Sequence, residues 1–174
     1  MASSAHTEKT HVRRRWPIII RVPLVAVIVL GLLVAILLFL PSYLLYGLIL
    51  QLVIWVGWCT RGINVLLVYS ESPNWQAYID TNLIPKLPPS TVVMNWSNRR
   101  QWSFFSIWVR AFRYFGGARE FNPLVVVFKP FRWARTYRFF KPLTQYKHGK
   151  TTDLEELERE LFRQLPGFDS TAAD

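Results

Sequence analysis

The residue types closest to those of a catalytic loop lie in V-Y-S-E-S-P-N-W, from Val68 to Trp75. This segment follows an apolar, β-branched run and precedes a helical pattern, a position where many α/β domains carry functional groups. Ser70 or Ser72 could act as a nucleophile only with a general base nearby. His148 is the only histidine after residue 60, and nothing in the spacing pairs it with either serine. The segment therefore reads as a polar cap between a strand and a helix.

Other patterns of catalytic or cofactor-binding residues are equally weak. Glu71 and Asp80 could form a carboxylate pair, but no pattern supports it, and no G-X-S-X-G, G-X-G-X-X-G or P-loop motif occurs. Cys59 is the single cysteine, so the chain has no internal disulfide. Cys59 also lies far from the three histidines in the sequence, which argues against a zinc site. We expect no cofactor and no metal.

A charge-free stretch of 37 residues extends from Pro23 to Cys59. About 20 apolar residues suffice to cross a bilayer, and a soluble core helix is rarely longer than about 20 residues. The stretch is too long for the apolar part of a cleaved signal peptide. The sequence predicts a retained transmembrane segment over 23–59, preceded by a disordered, basic N-terminus over 1–22.

Two crossings are the favoured arrangement of this segment. One straight helix would reach roughly 55 Å at about 1.5 Å per residue, well beyond a hydrocarbon core of about 30 Å. Pro41-Ser42 divides the stretch, so the prediction is a two-helix hairpin with its turn near 41–42. A hairpin also places the basic residues on both flanks on the cytoplasmic side. The alternative is one span followed by a helix in the membrane interface.

Charge is unevenly distributed along the chain. Residues 60–150 carry fourteen basic and three acidic residues, a balance of +11, whereas residues 151–174 carry two basic and seven acidic residues, a balance of −5. A basic domain tethered beside a bilayer is expected to contact anionic lipid headgroups. An acidic protein partner is the other candidate. Nucleic acid ranks below both, because the tether holds the basic surface near lipid.

Strand and helix patterns alternate after the apolar stretch. The predicted strands are 63–69, 91–96, 124–128 and 136–140, and the predicted helices are 74–87, 99–115 and 153–165. The first two connections are crossovers, so the strands that they join are expected to be parallel, and the last two strands should form an antiparallel hairpin. The prediction is an α/β domain over 63–165, in the order β-α-β-α-β-β-α with a mixed sheet, followed by a tail over 166–174.

This order resembles the thioredoxin-like arrangement, and two stretches strengthen the resemblance. E-F-N-P-L-V-V-V-F-K, from Glu120 to Lys129, resembles the thioredoxin segment in which a cis-proline opens the third core strand. Pro123 would be that proline. V-L-L-V-Y-S-E-S-P-N-W, from Val65 to Trp75, resembles the first core strand and the loop that carries Cys-X-X-Cys in the family. The resemblance covers 63–165 and implies that extended ligands bind where this loop faces the cis-proline.

The chain departs from this family at the cysteines. Thioredoxin chemistry needs a thiolate with a lowered pKa and a resolving thiol two residues away. The loop offers serines and an asparagine instead, and Cys59 precedes the first strand, so redox activity is not expected. The resemblance still implies a ligand-facing edge formed by Ser70, Glu71, Ser72, Asn74, Trp75, Asn122 and Pro123.

Two segments that mix basic and aromatic residues are the candidates for an interaction surface. Residues 99–115 carry aromatic residues at three- and four-residue steps, including Trp102 and Phe105, which predicts a helix with its aromatic stripe on the sheet and its arginines outward. Residues 128–141 interleave further aromatic and basic side chains. The arginines expected to contact an anionic surface are Arg99, Arg100, Arg110, Arg113, Arg132, Arg135 and Arg138.

These features predict a membrane-anchored, non-enzymatic binding or assembly module at the membrane surface, integral to the membrane and with its domain on the cytoplasmic side. The first alternative is a thiol-independent enzyme that uses the Ser70–Trp75 loop. The second is a nucleic-acid-binding membrane protein.

Overall fold

The computed structural model describes residues 18–117 and 122–165, with side chains from residue 23 onward. The helices are α1 Ile18–Gly57, α2 Gln76–Tyr78, α3 Ile107–Phe115, α4 Phe140–Lys147 and α5 Thr152–Arg163. The strands are β1 Val65–Tyr69, β2 Val92–Asn95, β3 Leu124–Lys129 and β4 Arg132–Arg138. The chain divides into two compact units, one up to Leu44 and one from Leu45 onward. Residues 1–17 of the predicted disordered N-terminus and the predicted tail lie outside the described residues.

Helix α1 begins five residues before the predicted start of the apolar segment and is long and apolar enough to cross a membrane. The structure differs here from the predicted hairpin, because α1 continues through Pro41 where a turn was expected. A proline removes one backbone donor from a helix, a loss that long apolar helices tolerate. The Ser42 hydroxyl donates a hydrogen bond to the Leu38 carbonyl at 2.8 Å within the same turn.

The second unit contains a four-stranded mixed sheet in the order β2-β1-β3-β4. β1 and β2 are parallel and β3 and β4 are antiparallel, which confirms those two expectations. The expected parallel orientation of β3 is wrong, since β3 is antiparallel to β1. Asn95, which ends β2, pairs with Tyr69, and Leu124, which begins β3, pairs with Val68. The connection between β2 and β3 therefore starts and ends at one end of the sheet, so β3 must run in the opposite direction.

Both faces of this sheet are covered, as expected for a central strand without polar alternation. Alternate residues of β1 point to opposite faces, and Val65 to Val68 are all buried. On one face Val65 and Leu67 pack with α5 and with the segment that follows α2. On the other face Leu66 and Val68 pack with α3 and with the last turns of α1.

The helical segments differ from the predicted ones where tertiary packing overrides the local pattern. The predicted helix 74–87 consists of α2, a π-helical turn Ile79–Leu83 and a 3₁₀ turn Ile84–Lys86, since Pro85 is incompatible with a regular helix. The predicted helix 99–115 divides into a 3₁₀ segment Trp96–Gln101, a non-helical stretch and α3. The predicted fourth strand lies earlier, and the chain after it forms α4.

A hydrogen bond between α2 and α5 yields the first testable prediction. The Tyr78 hydroxyl donates to Glu158 Oε1 at 2.6 Å, and burial, followed by this bond and the charge of Glu158, raises the pKa of Tyr78. We expect Tyr78→Phe to lower the free energy of unfolding by about 1–2 kcal/mol at neutral pH, because Glu158 loses a donor.

The pH dependence has a definite sign. A raised tyrosine pKa contributes stability below the ordinary value of about 10, and this contribution is lost as the pH rises above it. The difference between the wild type and Tyr78→Phe should therefore shrink above pH 10. Chemical unfolding in detergent micelles, at neutral pH and above pH 10, measures this difference in the free energy of unfolding. Tyr146→Phe is the control, because it removes a hydroxyl from a side chain that is 44% exposed and keeps the ring contact with Tyr78 at 5.3 Å. It should have a smaller effect than Tyr78→Phe. A difference that grows with pH would contradict the assignment.

Candidate functional site

The predicted ligand-facing edge lies at one end of the sheet, where β1 and β2 end and β3 begins. The Ser70–Trp75 loop follows β1, and the Asn122–Pro123 peptide bond directly before β3 is cis. Because Leu124 pairs with Val68, Pro123 lies beside the end of β1. The structure therefore brings the predicted residues of the two segments to the same end, which we call the polar edge.

Glu71 joins the polar edge to the end of β2. Its carboxylate accepts a hydrogen bond from Asn95 Nδ2 at 2.7 Å, and its backbone N–H donates to Ser97 Oγ at 3.1 Å. The side-chain Oδ1 of Asn95 in turn accepts a hydrogen bond from the Ser97 N–H at 2.9 Å, which caps the 3₁₀ segment. Asn95 and Ser97 were not among the predicted site residues. Through these hydrogen bonds Glu71 joins the loop after β1 to the turn after β2, which is a structural role.

The remaining polar side chains of the loop are also engaged locally. The Trp75 indole donates to Ser70 Oγ at 3.3 Å, and Lys147 on α4 donates to Asn74 Oδ1. His148 is exposed in the turn after α4 and makes no hydrogen bond to either loop serine within the described part of the chain. The polar edge thus consists of hydrogen bonds that shape the loop, and no nucleophile–base pair is assembled there.

A second site is formed by two exposed phenylalanines between the 3₁₀ segment and α3 and by two arginines on α3. Phe104 and Phe105 are 62% and 81% exposed. The Arg113 guanidinium lies 5.1 Å from the Phe104 ring centroid, and that of Arg110 lies 6.0 Å and 5.9 Å from the Phe104 and Phe105 centroids. These separations are within the range of cation–π attraction, about 6 Å. We call these four residues the Phe–Arg cluster.

Helix α3, which carries Arg110 and Arg113, packs against the part of α1 that begins the second unit. Arg113 is followed by Tyr114, whose ring centroid is 5.9 Å from that of Tyr46 in an edge-to-face arrangement. Tyr114 also packs against Gly47. This contact places α3 beside the start of the second unit.

The other predicted surface arginines are distributed over two further elements. Arg99 and Arg100 are exposed on the 3₁₀ segment, and Arg99 lies 5.3 Å over the Trp96 ring. Arg132, Arg135 and Arg138 belong to β4. The seven arginines therefore lie on three elements. Arg110 and Arg113 lie over the exposed rings of Phe104 and Phe105, and Arg132 follows the exposed Phe131.

The basic residues of β4 and of the end of β3 have different environments. Arg135 forms a long ion pair with Glu160 at 4.0 Å. Lys129 Nζ donates to Gln164 Oε1 at 3.0 Å, and burial together with the charges of Arg132 and Arg135 lowers the pKa of Lys129. This concentration of positive charge would attract an anion, but Arg135 and Lys129 already have partners within the domain.

The sequence predicted an interaction surface in segments 99–115 and 128–141 but named only their arginines, not Phe104, Phe105 or Phe131, as contact residues. The stripe expected to pack on the sheet included Phe105, which is instead exposed because residues 102–106 are not helical. Phe131 is 90% exposed in the turn between β3 and β4, and Trp133 is 51% exposed. One signal was present: neighbouring positions of a helix are about 100° apart, so Phe104 and Phe105 could not both face the core.

No protein-family model, curated protein or solved structure matches this chain. Within residues 23–117 and 122–165, no three histidine, cysteine, aspartate or glutamate side chains are grouped so that they could hold a metal ion. The fold and the site together define a mixed α/β domain that follows one long apolar helix and carries exposed aromatic residues beside arginines.

Proposed function

We propose that this chain is an integral membrane protein whose thioredoxin-like domain lacks redox chemistry and binds anionic lipid headgroups through the Phe–Arg cluster. The observation that carries the proposal is the exposure of Phe104 and Phe105 directly beside the guanidinium groups of Arg110 and Arg113. The strand order β2-β1-β3-β4 and the antiparallel β1–β3 pair support the thioredoxin-like assignment.

One crossing fits the lengths best. Residues 23–44 would extend about 33 Å as a helix, close to the hydrocarbon thickness of about 30 Å. The following turns of α1 bury Leu50, Ile54 and Trp58 against the sheet, so they belong to the domain and not to a second span. Tyr43 and Tyr46 would then lie at the membrane–water boundary, where tyrosine is enriched.

A single crossing changes the argument about orientation. The basic residues 13–15 and Arg21 precede the span, and the first basic residue after it is Arg61. With one crossing these flanks face opposite compartments, so the charge near the span favours a cytoplasmic N-terminus rather than a cytoplasmic domain. Lipid binding requires only anionic headgroups on the side of the domain, whichever side that is.

The Phe–Arg cluster has the chemistry of an interfacial anchor. Phenylalanine side chains gain free energy when they leave water for the boundary between headgroups and acyl chains, and guanidinium groups form strong hydrogen bonds with phosphate. Each arginine near an anionic surface contributes about 1 kcal/mol. The tether keeps the domain near the bilayer, so this modest energy is enough to orient it.

The test uses the full chain in nanodiscs of phosphatidylcholine with or without phosphatidylserine. A Cys59→Ser, Ser103→Cys background accepts an environment-sensitive fluorophore at the exposed position 103, next to the intact cluster. We expect its emission to rise in anionic nanodiscs. Arg110→Gln with Arg113→Gln should lower the ratio of docked to undocked domain about 30-fold, which corresponds to about 2 kcal/mol.

The matched control removes the same charge elsewhere. Lys150→Gln with Arg159→Gln replaces two exposed basic residues outside the cluster and should change the ratio little. If both pairs lower the fluorescence equally, net charge alone attracts the domain and the Phe–Arg cluster is not the docking site. If the fluorophore does not respond to phosphatidylserine at all, lipid binding by the cluster is excluded.

A further inference from the structure

The outer edge of β2 is open in the described structure. β2 is at one end of the strand order and pairs only with β1. At the other end of the sheet β4 is partly covered, because the buried Gln51 of α1 accepts a hydrogen bond from the Ala134 N–H at 3.2 Å. No comparable contact to Val92–Met94 is made by the residues that the structure describes. An uncovered edge strand presents backbone donors and acceptors to any extended chain that reaches it.

A groove follows this edge. It has a volume of about 490 Å³, and all four residues of β2, Val92–Asn95, line it. The groove is open to solvent, which suits an extended chain better than an enclosed small molecule. Because consecutive strand residues line the groove, it runs along the backbone and is not confined to one face of the sheet.

The opposite wall of the groove is aromatic and held in place by packing. It includes Trp102 and Trp108. The Trp102 ring makes edge-to-face contacts with Trp96 and Phe112, with centroids 5.5 Å and 5.8 Å apart, and Trp108 stacks on Trp58. Such a preformed wall can bind apolar side chains without the entropic cost of ordering it first.

Polar groups and charges at the groove select the chemistry of the occupant. Asn98, Gln101 and Ser103 contribute side chains that can bond to a peptide backbone. The adjacent Arg99 and Arg100 are exposed, and none of the residues that line the groove is acidic. An extended chain with acidic side chains therefore complements this edge better than a neutral or basic one.

We propose that β2 binds an acidic, extended segment of a partner protein by strand addition, with apolar side chains of that segment against Trp102 and Trp108. Backbone hydrogen bonds to β2 would supply affinity, and the tryptophan wall and the arginines would supply selectivity. The proposal goes beyond lipid docking and uses a different surface, so each can fail without the other.

The experiment selects random displayed octapeptides on the full chain in phosphatidylcholine nanodiscs, with empty nanodiscs as the counter-selection. We expect enriched peptides to be acidic and to alternate apolar residues. Hydrogen exchange of the Val92–Asn95 amides should slow when the best peptide is added. Methylation of alternate peptide nitrogens should weaken binding at least about tenfold, because strand addition requires those donors.

Arg100→Glu should weaken the same peptide about tenfold, because it places like charges together. Arg159→Glu on α5 makes the same change in charge and should not weaken it. Arg110→Gln with Arg113→Gln should alter lipid docking but not peptide affinity, which separates this proposal from the previous one.

The proposal would be wrong if no peptide is enriched over empty nanodiscs, or if peptide binding withstands both N-methylation and Arg100→Glu. It would also be wrong if lipid alone protects the β2 amides from hydrogen exchange, or if a second copy of this chain occupies the groove in a dimer.

Discussion

Ile54→Ala is expected to lower the free energy of unfolding of the second unit by about 2–5 kcal/mol, the cost of removing a large buried aliphatic side chain. Ile54 is fully buried in the cluster that joins the last turns of α1 to β1 and β3. The size of the effect follows because the lost contacts leave a cavity that a close-packed core cannot fill. Chemical unfolding in detergent micelles, followed by the near-ultraviolet circular dichroism of the tryptophans, measures it.

The matched control is an isoleucine on the other side of the same helix. Ile49 is 52% exposed, so Ile49→Ala should change the free energy of unfolding by no more than about 0.5 kcal/mol. Equal effects of the two substitutions would show that the last turns of α1 do not pack on the sheet. They would also restore the possibility of a second membrane span.

This packing determines which fragments of the chain can fold. A fragment that starts at residue 60 lacks Leu50, Ile54 and Trp58, and exposes the apolar face of the sheet that they cover. We expect it to aggregate. Soluble assays of the domain therefore need a chain that begins at or before Leu45, the first residue of the second unit.

The division of α1 between the two units shows a feature that amino-acid composition does not predict. Lipid-facing and core-facing residues are both apolar, so the charge-free stretch predicts burial away from water without saying what covers it. Pro41 was the only local signal for a boundary, and it is accommodated within the helix. The existence of β1 and β3 was predictable because each is a run of apolar, largely β-branched residues between turn residues.

The surface was harder to predict than the core. The spacing of Trp102, Phe105 and Trp108 satisfies a helix, but the chain is non-helical at 102–106, so Phe105 points outward. The contact between Asn74 and Lys147 joins residues 73 positions apart, and it depends on α4, which the sequence did not reveal. Local patterns carry no information about such contacts, since the fold alone determines which segments meet.

Gly47→Val is expected to destabilise the second unit by about 1–3 kcal/mol, the range for overpacking. A Cβ at position 47 would overlap the hydroxyl and ring of Tyr114, so this ring would have to leave its place between α1 and α3 or the helices would have to separate. Valine is a better helix former than glycine, so local propensity would predict the opposite sign. Gly57→Val is the control, because a Cβ there has nothing within 4 Å.

The physical cause can be separated from a general effect of valine by a double-mutant cycle with Tyr114→Ala. Removal of the ring makes room at position 47, so Gly47→Val should cost far less in that background than in the wild type. The coupling energy between the two substitutions should then be of the order of 2 kcal/mol, typical of residues in direct contact. Additive effects would mean that α1 and α3 do not approach closely at this point. The same unfolding measurement as for Ile54→Ala therefore tests whether α3, which carries Arg110 and Arg113, is held against the start of the second unit.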